Sequence, residues 1–374
     1  MTSVSLPLSK SIANRRYILD ALEGKPLFVP DDGSDCGDLA DMRKCISDLM
    51  ATGRCRVKES GTALRFLVAL TACGVWGEGK EYEISCGGRL AERPVEPLLE
   101  ALVRLGMEKP AVSVDEPGTK RIRLVSCRLR GGKIDMDCSL SSQFASALLL
   151  VSSRMEKILE LSCGEKESPY IAMTRSMLER KETVYEADWS AAAFFYEYTA
   201  LHGGDIFLKG LVPPEKSLQG DARCSELFAR FGVKSEVREG GIAIWRDEKV
   251  KHPSILAVDM SETPDLVPAL VVTCCLSGVN FCIEGVSALR HKESDRIKAL
   301  EDCMRLFGYV LESDGEMLLW KGERCIPDTG KVEDHADHRI AMAIEASGLR
   351  ETRHPQCVEK SFPHFMEEIG KIRE

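Results

Sequence analysis

The sequence predicts an α/β chain in two domains, built from six repeats of one β-α-β-α-β-β unit. Its 374 residues suit two or three domains of roughly 150 residues each. A helix of small and apolar residues with a polar start recurs six times, and each copy is followed by an amphipathic helix. Strand-like alternation fills the gaps between these pairs.

In chain order the apolar helices are expected at "LSKSIANRRYILDALEG", "SGTALRFLVALTACG", "SSQFASALLLVSS", "DWSAAAFFYEYTALHGG", "ETPDLVPALVVTCCLSG" and "DHADHRIAMAIEASG". All but the third close on glycine, the usual helix stop. They are apolar on most faces, which predicts burial. Their amphipathic partners are "GDLADMRKCISDLMATG", "ERPVEPLLEALVRLGM", "SPYIAMTRSMLERK", "QGDARCSELFARFGV", "ESDRIKALEDCMRLFG" and "SFPHFMEEIGKI". After the second, fourth and fifth pairs there is room for a strand pair plus another strand, with "KRIRLVSCRL", "GIAIWRD" and "GEMLLWKG" reading as strands. Only "RCRVKES" follows the first pair and only "KETVYEA" the third, so these two repeats are expected to lack a hairpin. The domains are expected at residues 9–186 and at 1–8 with 187–374, three repeats in each.

Composition narrows the function. A net charge of -9 argues against a general nucleic-acid surface, so a site for anions must be a local basic patch. Fifteen cysteines without a C-x-x-C motif suit neither a disulfide framework nor a zinc site, and they read as reduced core residues in a cytoplasmic protein. "MTSVSLPLSK" lacks the charged and apolar regions of a secretion signal. The uncharged run Leu266–Ile283 contains Pro268, Gly278 and Asn280, which predicts a buried helix, a turn and a strand rather than a membrane span.

The polar residues at the starts of the apolar helices carry the chemistry. Backbone N–H groups at a helix start attract anions, and cations placed there serve such a site rather than the helix. The first helix opens with Lys10, Ser11, Asn14, Arg15 and Arg16 and has no acid in its first turn. "SGTALRF" supplies Ser60, Thr62 and Arg65, and "SLSSQF" supplies Ser139, Ser141, Ser142 and Gln143. Taken singly, each is an N-cap with a solvated cation; recurrence over several buried helices predicts a shared anion-binding cleft. "LRHKESDRI" adds Arg290, Lys292, Glu293 and Arg296. In "EDHADHRIAM", Arg339 reads as the working group and the acids as orienting it; His335 and His338 with Asp334 and Asp337 make a weak metal pattern. With Arg93 and Lys360 there is enough cationic charge for two phosphates and two carboxylates, while Asp265 and Glu293 are the best proton-transfer candidates. The absence of a Walker A loop, G-x-S-x-G and G-x-G-x-x-G favours a transferase of phosphate-bearing small molecules.

Ten segments, "LPLSKSIANR", "SGTALRFL", "GRLAERP", "SLSSQFASALL", "SPYIAMT", "QGD", "TPDLVPAL", "LRHKESDRI", "DHRIAMA" and "KSFPHF", stand in the order found in the 3-phosphoshikimate 1-carboxyvinyltransferase (5-enolpyruvylshikimate-3-phosphate synthase) family. The chain resembles that family from Leu6 to Phe365. The resemblance implies a two-domain inside-out α/β barrel. It also implies carboxyvinyl transfer from phosphoenolpyruvate to the 5-hydroxyl of 3-phosphoshikimate through a tetrahedral intermediate, without a metal or organic cofactor. Carried onto matching positions, Lys10 touches both substrates, and Ser11 and Arg15 hold the shikimate carboxylate end. Ser141, Ser142 and Lys292 take the shikimate phosphate, with Gln143, Ser168 and Tyr170 shaping that pocket. Gly61, Arg93, Gln143, Arg296, Arg339 and Lys360 grip phosphoenolpyruvate. Asp265 becomes the base near the attacking hydroxyl and Glu293 the acid near the methylene carbon, with Lys10 and Lys360 completing the catalytic set. The expected partners are these small molecules alone, for a monomer that binds neither nucleic acid nor membrane.

Three features depart from the family pattern. Glu59 stands where Asn usually precedes the "SGT" motif, and Glu167 where a phosphate-binding Ser is usual. The two repeats without hairpins are the third. These departures favour a non-catalytic ligand-binding homologue as the alternative. A relative acting on a UDP-sugar needs a loop cysteine as acid, but Cys86, before "GGRLAERP", reads as the end of a strand.

Overall fold

A computed structural model describes residues 1–30, 35–115, 118–138, 141–164, 167–180 and 185–373. Ser139 and the first four residues of "KETVYEA" lie outside the described residues. The chain has an α/β fold and divides into two compact units. Residues 10–30 and 37–185 form one, called here the inserted unit; residues 1–9, 35–36 and 186–374 form the other, the terminal unit.

Both units are organised around apolar helices. In the inserted unit, helices Lys10–Glu23, Gly61–Ala72 and Gln143–Val151 pack on one another. In the terminal unit the equivalent trio is Trp189–His202, Val267–Leu276 and His338–Ser347. Almost every residue of Val267–Leu276 is buried, as a helix without a polar face requires. Side-chain caps hold several of the starts. The Ser60 hydroxyl accepts from the Ala63 amide at 3.3 Å, and the Asp188 carboxylate accepts from the Ser190 and Ala191 amides at 2.8 and 3.3 Å. Gly348 ends its helix at φ 69°, a left-handed conformation that favours glycine.

Three four-stranded sheets share one strand order. Arg54–Val57 runs parallel to Glu81–Cys86, which pairs antiparallel with Thr119–Val125 and through it with the edge strand Ala111–Asp115. Ile255–Asp259, Asn280–Glu284, Met317–Trp320 and Glu312–Ser313 repeat the pattern. Parallel pairing needs a crossover, and the buried helix supplies it in both cases. The third sheet draws its first strand from the far end of the chain: Thr2–Ser5 lies parallel to Asp205–Lys209, followed in order by Gly241–Arg246 and Val233–Arg238.

These sheets occupy the second, fourth and fifth repeats, where the gaps leave room for them. Among the described residues the third repeat keeps only the parallel pair Gly132–Asp135 and Leu159–Ser162, and no strand lies between Lys10 and Thr52. The sixth repeat differs from expectation. Its strands reduce to a single parallel bridge between Val332 and Thr352, in charged sequence bounded by Pro327 and Pro355. The run Leu266–Ile283 resolves into helix Val267–Leu276, a turn at Gly278 and strand Asn280–Glu284. Among the described residues no helix is long and apolar enough to cross a membrane.

Candidate active site

Each unit gathers part of the expected residue set, and the two groups differ in charge. In the inserted unit the helix starts bring together Arg15, Arg65, Arg93, Gln143 and Tyr170. Arg65 is 2% exposed and lies over the Phe144 ring, 4.9 Å from its centroid. It donates to Pro94 O through Nε at 3.2 Å and Nη2 at 2.7 Å, and to Gln143 Oε1 through Nη1. Gln143 in turn donates to the Thr62 hydroxyl at 2.8 Å. Burial, with the neighbouring Arg93 cation adding to it, pushes Arg65 down to about 9.

Gly61 and Arg93 form a steric pair. A Cβ at Gly61 would lie 2.6 Å from Arg93 Cζ and Nη1, so only glycine lets the guanidinium rest on the start of helix Gly61–Ala72. The Arg93 Nε is buried without a hydrogen-bond partner. Among the described residues no carboxylate is ion-paired with Arg15, Arg65 or Arg93. Arg65 and the half-buried Arg93 repel each other beside a helix start, an arrangement that a bound anion would stabilise.

Arg15 is also 2% exposed and engages internal acceptors. It donates to Thr174 Oγ1 (2.7 Å), Ser11 O (2.7 Å), Ser146 Oγ (3.0 Å) and Tyr170 O (3.1 Å), and burial lowers it to about 10. Four of its five N–H bonds are thereby used. Lys10 pairs with Asp38 at 3.0 Å. Ser141 accepts from the Gln143 amide at 3.2 Å, Ser142 is the residue before helix Gln143–Val151, and Ser168 caps helix Pro169–Glu179 by accepting from the Tyr170 amide at 3.3 Å. Arg16 bonds Asp20 and Glu23 at 2.7 and 3.3 Å, a structural ion pair.

In the terminal unit cations and carboxylates interlock. Arg296, 1% exposed, donates through Nε to Asp337 (2.8 Å), through Nη1 to Asp265 (2.8 Å) and through Nη2 to Glu293 (2.8 Å). Asp265 also meets Arg339 at 2.9 Å and Lys292 at 3.5 Å. Lys360 lies 3.7 Å from Glu293. Burial alone would raise the Asp265 carboxyl, but Arg339, Lys292 and Arg296 together hold it well below the usual carboxylate range. Asp221, from the "QGD" segment, has no such surplus of cations. Burial and the adjacent Asp265 push it up to about 7, with the Ser190 hydroxyl donating to it.

The orienting acid differs from expectation. Asp337 caps the His338–Ser347 helix, accepting from the Arg339 amide at 3.0 Å, but its carboxylate grips the Arg296 side chain; Asp265 holds the Arg339 guanidinium. His335 and Ala336, both at φ 52°, make the left-handed turn that aims Asp337 inward, at roughly 1–2 kcal/mol each. Spacing in "DHADHR" suggests the cap but gives no sign of the Arg296 contact, since the two residues are 41 apart in sequence. The weak His335/His338 metal pattern is not drawn together among the described residues. Among the described residues, Glu333, Asp334 and His354 are the side chains close enough to share an ion, and Asp334 is occupied by the His354 amide and ring and the Ala336 amide.

Both departing acids sit at the surface. Glu59 is exposed, and Glu167 is exposed and paired with Arg175 at 2.7 Å. Cys86 ends its strand and is fully buried.

Comparison with known proteins identifies the family. The family model described as EPSP synthase (3-phosphoshikimate 1-carboxyvinyltransferase) matches residues 43–184 and 179–369. A 3-phosphoshikimate 1-carboxyvinyltransferase of Bacteroides fragilis is 33% identical over 99% of this chain and 94% of its own, and one of Syntrophobacter fumaroxidans is 30% identical over 99% and 96%. Among solved structures, EPSP synthase from Acinetobacter baumannii shares the fold with a TM-score of 0.68 at 19% identity, covering 99% of this chain and 95% of that one. The enolpyruvyl transferase NikO from Streptomyces tendae does so with a TM-score of 0.63 at 12% identity, covering 100% and 94%.

Proposed function

We infer that this chain, which belongs to the EPSP synthase (3-phosphoshikimate 1-carboxyvinyltransferase) family, transfers the carboxyvinyl group of phosphoenolpyruvate to the 5-hydroxyl of 3-phosphoshikimate, releasing phosphate, in aromatic amino acid biosynthesis. The supporting observation is Asp265, a partly buried carboxylate in contact with Arg296, Arg339 and Lys292.

In this assignment Asp265 takes the proton of the 5-hydroxyl as its oxygen attacks C2 of phosphoenolpyruvate. Glu293 delivers a proton to the methylene carbon, giving the tetrahedral intermediate. Elimination returns a methyl proton to Glu293 as the bond to phosphate breaks, the proton held by Asp265 leaves with the phosphate, and cations stabilise the departing charge. The ion pairs set the order of events. Asp265 is a weak base while three cations surround it. An arriving phosphate or carboxylate that draws Arg339 toward itself weakens that stabilisation, so phosphoenolpyruvate binding raises the basicity of Asp265.

The remaining roles follow the family resemblance. Lys10, Gly61, Arg93, Gln143, Arg296, Arg339 and Lys360 bind phosphoenolpyruvate. Lys10, Ser11, Arg15, Ser141, Ser142, Gln143, Ser168 and Tyr170, with Lys292 and Asp265, bind 3-phosphoshikimate. Arg15 has one Nη1 N–H left for the shikimate carboxylate. The fold is then the inside-out barrel of six repeats, acting as a cytoplasmic monomer. Glu59 and Glu167 are both exposed, so neither favours a non-catalytic homologue.

Phosphate release from the two substrates tests the assignment. Turnover is expected, and folded protein that binds 3-phosphoshikimate in calorimetry without releasing phosphate would overturn it.

A further inference from the structure

Just before the start of helix His338–Ser347, a histidine outside the substrate set clasps a buried acid. The segments around them are zipped together. Val332 bridges Thr352, the Arg353 amide donates to Val332 O at 2.9 Å, and the His354 amide donates to Asp334 Oδ2 at 2.7 Å. The His354 ring completes the clasp, with Nδ1 2.8 Å from Asp334 Oδ1 and 3.4 Å from Glu333 Oε1. A carboxylate oxygen accepts, so Nδ1 carries a proton toward Asp334. Asp334 is fully buried, while the His354 side chain is partly exposed.

Two stretches of chain leave this clasp, and each leads to a cation assigned to phosphoenolpyruvate. In the first, Asp334 Oδ1 accepts the Ala336 amide at 2.8 Å and Asp334 O accepts the Asp337 amide at 2.9 Å. These bonds brace the His335–Ala336 turn, whose φ of 52° at both residues is disfavoured wherever a Cβ is present. The turn delivers Asp337, whose carboxylate accepts from Arg296 Nε at 2.8 Å, the Ser294 hydroxyl at 2.9 Å and the Arg339 amide at 3.0 Å. In the second, His354 immediately precedes the short helix Pro355–Lys360, and its carbonyl accepts the Cys357 amide at 2.9 Å. Lys360 ends that helix, 3.7 Å from Glu293.

We propose that His354, acting through Asp334, is a positioning residue for the transfer reaction, fixing the grip of Asp337 on Arg296 and the place of Lys360. The proposal rests on the function inferred above. Without the ring N–H, Asp334 Oδ1 loses a donor and keeps the Ala336 amide. A buried carboxylate short of donors draws in water or moves. The disfavoured turn then relaxes, and Asp337 shifts relative to the guanidinium it orients.

Steady-state kinetics of the full-length protein and two variants test this. His354→Leu fills the place of the ring without an N–H, and His354→Asn returns a donor where Nδ1 stood. His354→Leu is expected to lower kcat/KM for phosphoenolpyruvate roughly tenfold, the worth of one charge-assisted hydrogen bond, with 3-phosphoshikimate affinity by calorimetry changed less than about twofold. His354→Asn should recover most of the loss. Full kcat/KM in folded His354→Leu, a loss that His354→Asn leaves in place, or an equal loss of 3-phosphoshikimate affinity would overturn the positioning role. His354→Ala replaces the leucine variant if that protein does not fold. Absence of turnover in the wild-type protein counts against the transferase assignment instead. Hydrogen exchange then reads the clasp without activity: the Ala336 and Asp337 amides should exchange faster in His354→Leu than in wild type or His354→Asn, and equal rates overturn it.

Discussion

At the scale of single residues, the contact between Gly61 and Arg93 turns a missing side chain into a binding determinant. The guanidinium occupies the space that any Cβ would need, so Gly61→Ala must push Arg93 away from the helix start. A shift of even an ångström weakens charge-assisted bonds to an anion. The KM for phosphoenolpyruvate is expected to rise roughly tenfold or more, the equivalent of about 1.4 kcal/mol, with 3-phosphoshikimate affinity by calorimetry much less changed. Equal loss for both substrates would contradict the local origin. Arg296 makes the opposite point. Asp337, Asp265 and Glu293 all touch its side chain, so its charge is fixed and its position set before any substrate arrives. The residues of this network stand in recognisable segments of the sequence, but their pairing does not, because it joins helix starts far apart along the chain.

At the scale of elements, the apolar helices position the polar groups and carry the strain of burying them. Helix Trp189–His202 shows the cost most clearly in Glu197, which is fully buried with neither carboxylate oxygen hydrogen-bonded. Burial raises its carboxyl well above the ordinary value, so the folded protein holds it protonated. The unfolded chain releases that proton above its ordinary value of 4.5, so stability is lost as pH rises from there toward the folded value. Glu197→Leu is expected to raise stability at pH 7 by about 1–3 kcal/mol, with the gain shrinking toward pH 4. Denaturant melts of both proteins across that range decide the matter, and a gain independent of pH would show that titration is not its source. The helices themselves are legible from composition and caps. The absence of an internal partner for Glu197 is not, because it depends on what distant parts of the chain pack around that position.

At the scale of the whole molecule, the first residues of the chain belong with its second half. Thr2–Ser5 supplies a parallel strand beside Asp205–Lys209, and Val4 and Leu6 join the apolar core of the terminal unit. Removing residues 1–5 therefore leaves the Asp205–Lys209 strand with an unpaired edge on that side. Truncation is expected to lower the melting temperature of the full chain by several degrees, roughly 2–4 °C for each kcal/mol lost in a unit of this size. Hydrogen exchange should place the loss in residues 205–209 rather than in the inserted unit; faster exchange in the inserted unit alone would refute it.

The six-fold alternation of buried and amphipathic helices, the room for three hairpins and the gathering of cations at helix starts were determined by the sequence itself. Each rests on local pattern: periodicity, capping residues and gap length act over a few turns and need no distant partner. Tertiary structure alone decided that Asp337 serves Arg296, that Arg15 is bound up with Thr174 and Ser146, and that Glu59 and Glu167 stay at the surface. It also decided that the sixth repeat keeps only a bridge between Val332 and Thr352. Ion pairs and strand register depend on distance in space, which packing sets and sequence separation does not record.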